Sequence, residues 1–275
     1  MQYGMPTLIE HRTLAENAAL ARRLGLSFIE LNMNFPEYQA DALSDTDALL
    51  RVGEAYGVYF TVHLDENLDP ANFNPLVAGA WAETVRRSID AAKRLLPLRD
   101  RFGDPSQPLT LNMHMHHGVH ITLPDRKVRL YARDEARYLD SFRRFRDDCG
   151  ARIGDADLRI CVENTDGFLP FEEKAIDLLL ESPRFGLCWD IGHSKAAGET
   201  DLPFLTARRD RLVHFHIHDA TETPPRNHLA LGDGELDLRE RLRLAAERKA
   251  RCVLETKTAA ALETSVAWLR ADGRF

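Results

Sequence analysis

The sequence predicts a closed (β/α)8 barrel, a TIM barrel, as a single domain spanning residues 1–275. Three observations lead there. Short β-rich runs alternate with amphipathic helical runs from end to end, eight of each, and alternating βα units imply a parallel sheet. The length of 275 residues suits one such barrel, which takes about 250 residues. An open doubly wound sheet would show a glycine fingerprint after its first strand, whereas this first strand leads into Ile9-Glu10-His11-Arg12. No Pro/Gly/Ser-rich linker and no low-complexity tract divides the chain.

Each element carries a local signal. Met5–Ile9 reads as the first strand. Thr13-Leu-Ala-Glu16 then forms a capping box that opens a helix stopping at Gly25. Ser27–Met33 is the second strand, Asp45–Tyr56 a helix ending at Gly57, and Val58–Leu64 the third strand. A long helix follows from Pro75 to Leu95. Its Val77, Trp81, Val85 and Ile89 recur four apart and predict one buried stripe. Leu109–His116 is the fourth strand and Asp134–Arg152 the next helix. Leu158–Thr165 is the fifth, followed by a helix opening at Pro170. Phe185–Ile191 is the sixth, with a short helix from Leu202 to Arg211. The seventh is the run Leu212–Asp219. Asp237-Leu-Arg-Glu240 caps the helix to Lys249, Arg251–Lys257 is the eighth strand, and Ala259–Ala271 closes the chain. Trp189 and Phe215 read as barrel-to-helix packing, Trp81 and Trp268 as core.

Composition narrows the function. The chain is 44% hydrophobic and 29% charged, with a net charge of -7, which argues against a basic nucleic-acid footprint. The four cysteines form no CxxC pair and read as buried free thiols in a reducing compartment. Met1–Glu10 shows no signal peptide, and no apolar run approaches the roughly 20 residues that span a membrane. A cytoplasmic protein is the expectation, with no membrane partner.

Chemistry concentrates in the seventh strand. His214, His216 and His218 alternate with Val213, Phe215 and Ile217, so the three imidazoles share one face and the apolar side chains the other. Metal binding is the most economical reason for three histidines in register. The active site of such a barrel lies at the C-terminal strand ends. There the fifth, sixth and eighth strands deliver Glu163, Asp190 and Glu255 from apolar surroundings. A carboxylate in such a strand is costly unless paired or metal-bound. Glu163, Asp190, His216 and Glu255 would surround one divalent cation, Mn2+, Mg2+, Co2+ or Zn2+. No organic cofactor is called for. Lys257 shares a face with Glu255 and reads as a holder of a substrate phosphate or carboxylate, or as a rim lysine leaning to solvent. Glu30 and Asn32 share a face of the second strand. The fourth offers Asn112, His114 and His116, with His117 following. The connections from Asp65 to Pro75 and from Ala220 to Gly234 are candidate lids.

The order VENT, WDIGH, HIHD, HLALGDG and LETK resembles the xylose isomerase-like barrel superfamily over nearly the whole chain. The group holds sugar isomerases and epimerases, inosose dehydratase-like enzymes and endonuclease IV-type apurinic nucleases. The resemblance implies that Glu163, Asp190, His216 and Glu255 hold the single metal of the isomerase branch. Glu163 and Glu255 also move protons, and His193 holds a substrate oxygen. His63, His116, Arg226, Lys257 and Glu30 complete the expected substrate contacts. In the nuclease branch further ions are bound, and His63, His116 and His228 mark a possible second metal site. Arg226 stands where the nucleases place an aspartate, which weakens a further metal site and suits an anionic or polyhydroxylated ligand. The leading expectation is therefore an isomerase or epimerase of a small sugar or polyol ketone, working through an enediolate and two glutamates. The alternatives are a metal-dependent phosphodiesterase and an inosose dehydratase-like lyase on the same site. The oligomeric state is left open.

Overall fold

Eight parallel strands close on themselves in the computed structural model, which describes residues 1–275. They are β1 (Gln2–Pro6), β2 (Phe28–Asn32), β3 (Tyr59–His63), β4 (Leu109–His114), β5 (Leu158–Glu163), β6 (Phe185–Asp190), β7 (Leu212–Ile217) and β8 (Arg251–Leu254). Each pairs with its neighbours in sequence, and β1 closes the ring on β8 through Gln2–Arg251, Tyr3–Cys252 and Gly4–Val253. The main helices are α1 (Leu14–Leu24), α2 (Thr46–Tyr56), α3 (Pro75–Phe102), α4 (Glu135–Ile153), α5 (Pro170–Leu180), α6 (Leu202–Ala207), α7 (Leu238–Glu247) and α8 (Ala259–Ala271). The TIM barrel expected from the alternation is what forms.

The local signals act as their chemistry dictates. Thr13 accepts from the Glu16 amide at 3.2 Å while Glu16 accepts from the Thr13 amide at 2.9 Å, so two orphan donors of α1 are satisfied at once. Gly25 ends that helix at φ 79°, a left-handed turn that costs glycine little. Asp237 accepts from the Glu240 amide at 3.1 Å to open α7. Trp189 and Phe215 lie against each other with ring centroids 5.9 Å apart, outside the barrel. All four cysteines are buried and free. No helix is long and apolar enough to cross a membrane.

Several boundaries differ from expectation. β1 begins at Gln2 and ends at Pro6, so Ile9 is 77% exposed in a turn rather than buried in a strand. The fourth, fifth, sixth and eighth strands stop at His114, Glu163, Asp190 and Leu254. Beyond those points the backbone leaves the ladder to line the mouth. α3 continues to Phe102, because Leu95 and Leu98 extend its buried face. At its other end the stripe fails: Val77 is exposed, Trp81 is half-buried, and burial begins at Val85. The helix expected over 202–211 splits into α6 and a 3-10 turn, Arg209–Arg211. Two exposed hairpins, His120–Thr122 with Lys127–Arg129 and Asp219–Glu222 with Pro225–Leu229, and a short helix, Ile191–Ala196, are additions the periodicity did not reveal.

Candidate active site

At the open end of the barrel the strand register sets Asp190 of β6 and Val253 of β8 beside His216 of β7. Glu163 ends β5 and Glu255 follows β8. The result is that Glu163, Asp190, His216 and Glu255, all buried, each offer a ligand atom, and these atoms lie within 4.8 Å of one another. Three carboxylates converge on one nitrogen, His216 Nδ1. Glu163 Oε1 lies at 3.0 Å, Glu255 Oε2 at 2.9 Å and Asp190 Oδ2 at 3.9 Å. Glu255 Oε2 is buried without a well-formed hydrogen bond, its near neighbour being the His216 imidazole. A buried carboxylate oxygen left without a partner is costly in a folded protein. Lys257 Nζ donates to the other oxygen, Oε1, at 2.7 Å.

The electrostatics keep both glutamates ionised. Burial pushes each carboxyl upward, but His216 and His114 hold Glu163 well below the ordinary value, and His216 and Lys257 do the same for Glu255. Burial likewise disfavours a charged His216, yet the carboxylates around it raise its pKa well above the usual value. A cation at the centre competes with that imidazole proton.

The supports beneath and around the tetrad are specific. Glu30 accepts from His216 Nε2 at 2.7 Å, from His214 Nε2 at 3.0 Å and from Thr61 Oγ1 at 3.0 Å. The inward face expected for Glu30 is correct: the residue is 2% exposed, and its two carboxylate oxygens are taken by His216, His214 and Thr61. Asn112 Nδ2 donates to Glu163 Oε2. Asn164 brackets the end of β6, accepting from the Asp190 amide at 2.9 Å and donating to the Asp190 carbonyl at 2.9 Å. Its role went unread, although it stands in the VENT run.

On the β6–β7 side a second group of histidines lines the rim. His218 Nδ1 accepts from the His228 amide at 2.8 Å, so its Nε2–H donates to Asp190, 2.9 Å from Oδ1. His228 Nδ1–H donates to the Glu255 carbonyl at 2.8 Å, and its φ of 55° is left-handed. Asn227 Nδ2 donates to His193 Nδ1 at 3.3 Å, which makes His193 Nε2 the protonated nitrogen. His193 and His228 thus present Nε2 atoms as a donor and an acceptor, their rings 5.0 Å apart. Gly192 in the WDIGH run is needed for close approach: a Cβ there would lie 2.0 Å from His218 Cε1.

The other expected residues separate. His63 stays with the tetrad, 3.4 Å from Glu163 Oε2, and His114 reaches the same oxygen at 3.4 Å. His114 is therefore the inward histidine of β4. His116 turns toward Asp69 at 3.7 Å. His117 bridges Asp166 at 2.8 Å and Glu172 at 2.6 Å. The trio His63, His116 and His228 is not brought together, since His63 lies with Glu163 and His114, and His228 with His193 and His218. Arg226 is exposed on the second hairpin, and His11 lies against Asn17. Two connections expected to act as lids are anchored by buried aspartates. Asp69 accepts from Tyr131 Oη at 2.6 Å. Asp219 accepts from the amides of Ala220 at 2.9 Å, Leu236 at 3.2 Å and Gly232 at 3.0 Å.

Three oxygen donors and one imidazole suit a hard or borderline divalent cation. Glu255 Oε2, buried without a well-formed hydrogen bond, is the particular atom such an ion would satisfy. Fold and site together define a TIM barrel with an acid- and histidine-lined pocket at its C-terminal mouth. The chain belongs to the xylose isomerase-like TIM barrel family, whose model matches residues 18–272. Among solved structures it is similar to a D-tagatose 3-epimerase-like protein, with 19% identity, a TM-score of 0.75, and 100% of this chain and 98% of that one covered. It is similar also to the 3-keto-D-glucoside 4-epimerase YcjR from E. coli, at 16% identity and a TM-score of 0.73 over 98% of this chain and 99% of that one. A D-psicose 3-epimerase, solved in the presence of D-fructose, matches at 12% identity and a TM-score of 0.68 over 100% of both chains. No curated protein matches the chain by sequence.

Proposed function

We propose that the chain is a divalent-metal-dependent epimerase or isomerase of a small sugar or sugar-like ketone. The observation that carries this reading is the convergence of Glu163, Asp190, His216 and Glu255, with Glu255 Oε2 buried among them without a well-formed hydrogen bond. These four residues would hold the ion. When bound, a divalent cation supplies Lewis-acid polarisation of a carbonyl and its neighbouring hydroxyl.

The protein residues do the rest. Glu163 and Glu255, both ionised at rest, supply the pair of proton carriers: one takes the proton from the carbon beside the carbonyl, giving an enediolate and a carboxylic acid, and the other, which takes up a proton from solvent before the step, gives that proton to the opposite face and is left ionised. Lys257 keeps one Glu255 oxygen occupied at 2.7 Å, which orients the other inward. Asn112 does the same for Glu163 Oε2. His193 Nε2–H donates to a substrate oxygen, and His228 Nε2 accepts from a substrate hydroxyl. Structural neighbours that act on ketoses and keto-sugars support the substrate class.

The test is solvent exchange. A panel of ketoses is incubated with the Mn2+-loaded protein in deuterated water and followed by NMR. Deuterium entering a carbon adjacent to the carbonyl, lost in Glu255→Gln, is the expected outcome. No exchange in any ketose, with metal bound, overturns the reading.

A further inference from the structure

We infer that Glu30, held by His214, is the positioning residue that fixes His216 in the tautomer a cation requires. The inference rests on the metal-site reading above and assigns a role to two fully buried residues that the proton-transfer scheme does not use.

The argument is a count of donors and acceptors. Glu30 Oε1 lies 2.7 Å from His216 Nε2, and Glu30 Oε2 lies 3.0 Å from both His214 Nε2 and Thr61 Oγ1. An ionised carboxylate only accepts, so both imidazoles carry a proton on Nε2. On its far side His214 Nδ1 faces Thr110 Oγ1 at 3.2 Å, a hydroxyl that can donate to the unprotonated nitrogen this leaves. His216 Nδ1 also faces carboxylates, Glu163 Oε1 at 3.0 Å and Glu255 Oε2 at 2.9 Å, so a cation held there would take the place of the Nδ1 proton while the proton on Nε2 stays with Glu30.

His214 has a separate task. A buried carboxylate near three others would swing toward any cation placed among them. With Oε2 occupied by His214 and Thr61, and Oε1 by His216, Glu30 has no free oxygen to offer. It remains below the site as a countercharge. Ligating histidines that donate their second ring N–H to a carboxylate lose about 10–100-fold in metal affinity when that carboxylate is removed. The strand register supports the vertical order, because Glu30 is the middle residue of β2 and pairs with Thr61, the middle residue of β3, whereas Glu163 and Asp190 end their strands.

The experiment measures Mn2+ binding by calorimetry, with folding checked by circular dichroism. Wild type is expected to bind one Mn2+. Glu30→Gln keeps the shape and removes the charge, and is expected to weaken Mn2+ about 10–100-fold at unchanged stoichiometry. Glu30→Asp is expected to recover part of the loss. Folded Glu30→Gln protein that binds within twofold of wild type overturns the inference and leaves the metal site standing. A wild type that takes up no divalent ion overturns the proposed function, and the inference falls with it. A direct readout on unmutated protein covers the case of a variant that does not fold. In 15N imidazole NMR of Zn2+-loaded wild type, the His216 proton is expected on Nε2, and a proton on Nδ1 overturns the inference.

Discussion

The floor of the barrel and its rim are built from the same residue types and end in opposite states. On the floor, Glu30, His214, Thr61 and Thr110 spend their side-chain polar groups on one another. At the rim, Glu255 Oε2 and Asn112 Oδ1 are buried without a well-formed hydrogen bond, and His193 and His228 each keep one ring nitrogen uncommitted. A closed network fixes geometry, whereas open valences await a ligand. The contrast separates positioning residues from contacting ones, which residue type and strand face alone do not.

Four measurements test the contrast, the largest effect first. Glu163→Gln removes both a ligand oxygen charge and a proton carrier. Turnover of a ketose is expected to fall about 10³-fold, with Mn2+ binding weakened in the same protein. Turnover within tenfold of wild type breaks the assignment. Gly192→Ala places a methyl group against His218. Overpacking of this kind costs about 1–3 kcal/mol, read in urea unfolding, and the displaced ring no longer steadies Asp190. His193→Ala removes a rim donor and no floor contact. A tenfold loss in kcat/KM, about 1.4 kcal/mol of transition-state binding, is expected with an unchanged urea midpoint. A lowered midpoint would move His193 from contact to scaffold.

The smallest effect is a dependence on pH outside the site. Hydrogen bonds that His117 donates to Asp166 and Glu172 push its pKa up to about 9. A histidine whose pKa is raised on folding stabilises fully below its unfolded value, near 6.5, and the contribution disappears as pH rises through about 9. Wild type is expected to lose a few degrees of Tm between pH 7 and pH 10, and His117→Gln to lose fewer. Parallel curves for the two proteins would remove the bridge from the account.

Much of this was legible in the sequence, and the misses share a cause. Alternation along a strand reports which face a side chain takes, so Glu163, Asp190, His216 and Glu255 were readable as inward. It does not report depth. Strands in a barrel are staggered against one another, and only pairing showed that Glu30 sits on the floor while Asp190 reaches the mouth. The same limit left His114, His116 and His117 unsorted, because the strand stops at His114 and the chain then turns. Hairpins at the mouth are short and polar and carry no period to detect. Val77 fitted a helical stripe but lies on a turn of α3 ahead of the burial that begins at Val85.

Asp219 joins the end of β7 to the long connection beyond it. Its carboxylate grips three backbone amides, of Ala220, Gly232 and Leu236, while Thr223 through Asn227 project into solvent. The base of this connection is riveted and its tip is an exposed hairpin turn. Retooling the ligand preference of this scaffold therefore has a natural cut site, residues 223–226, where sequence can be exchanged while His216, in the barrel strand ahead of the Asp219 anchor, keeps its place.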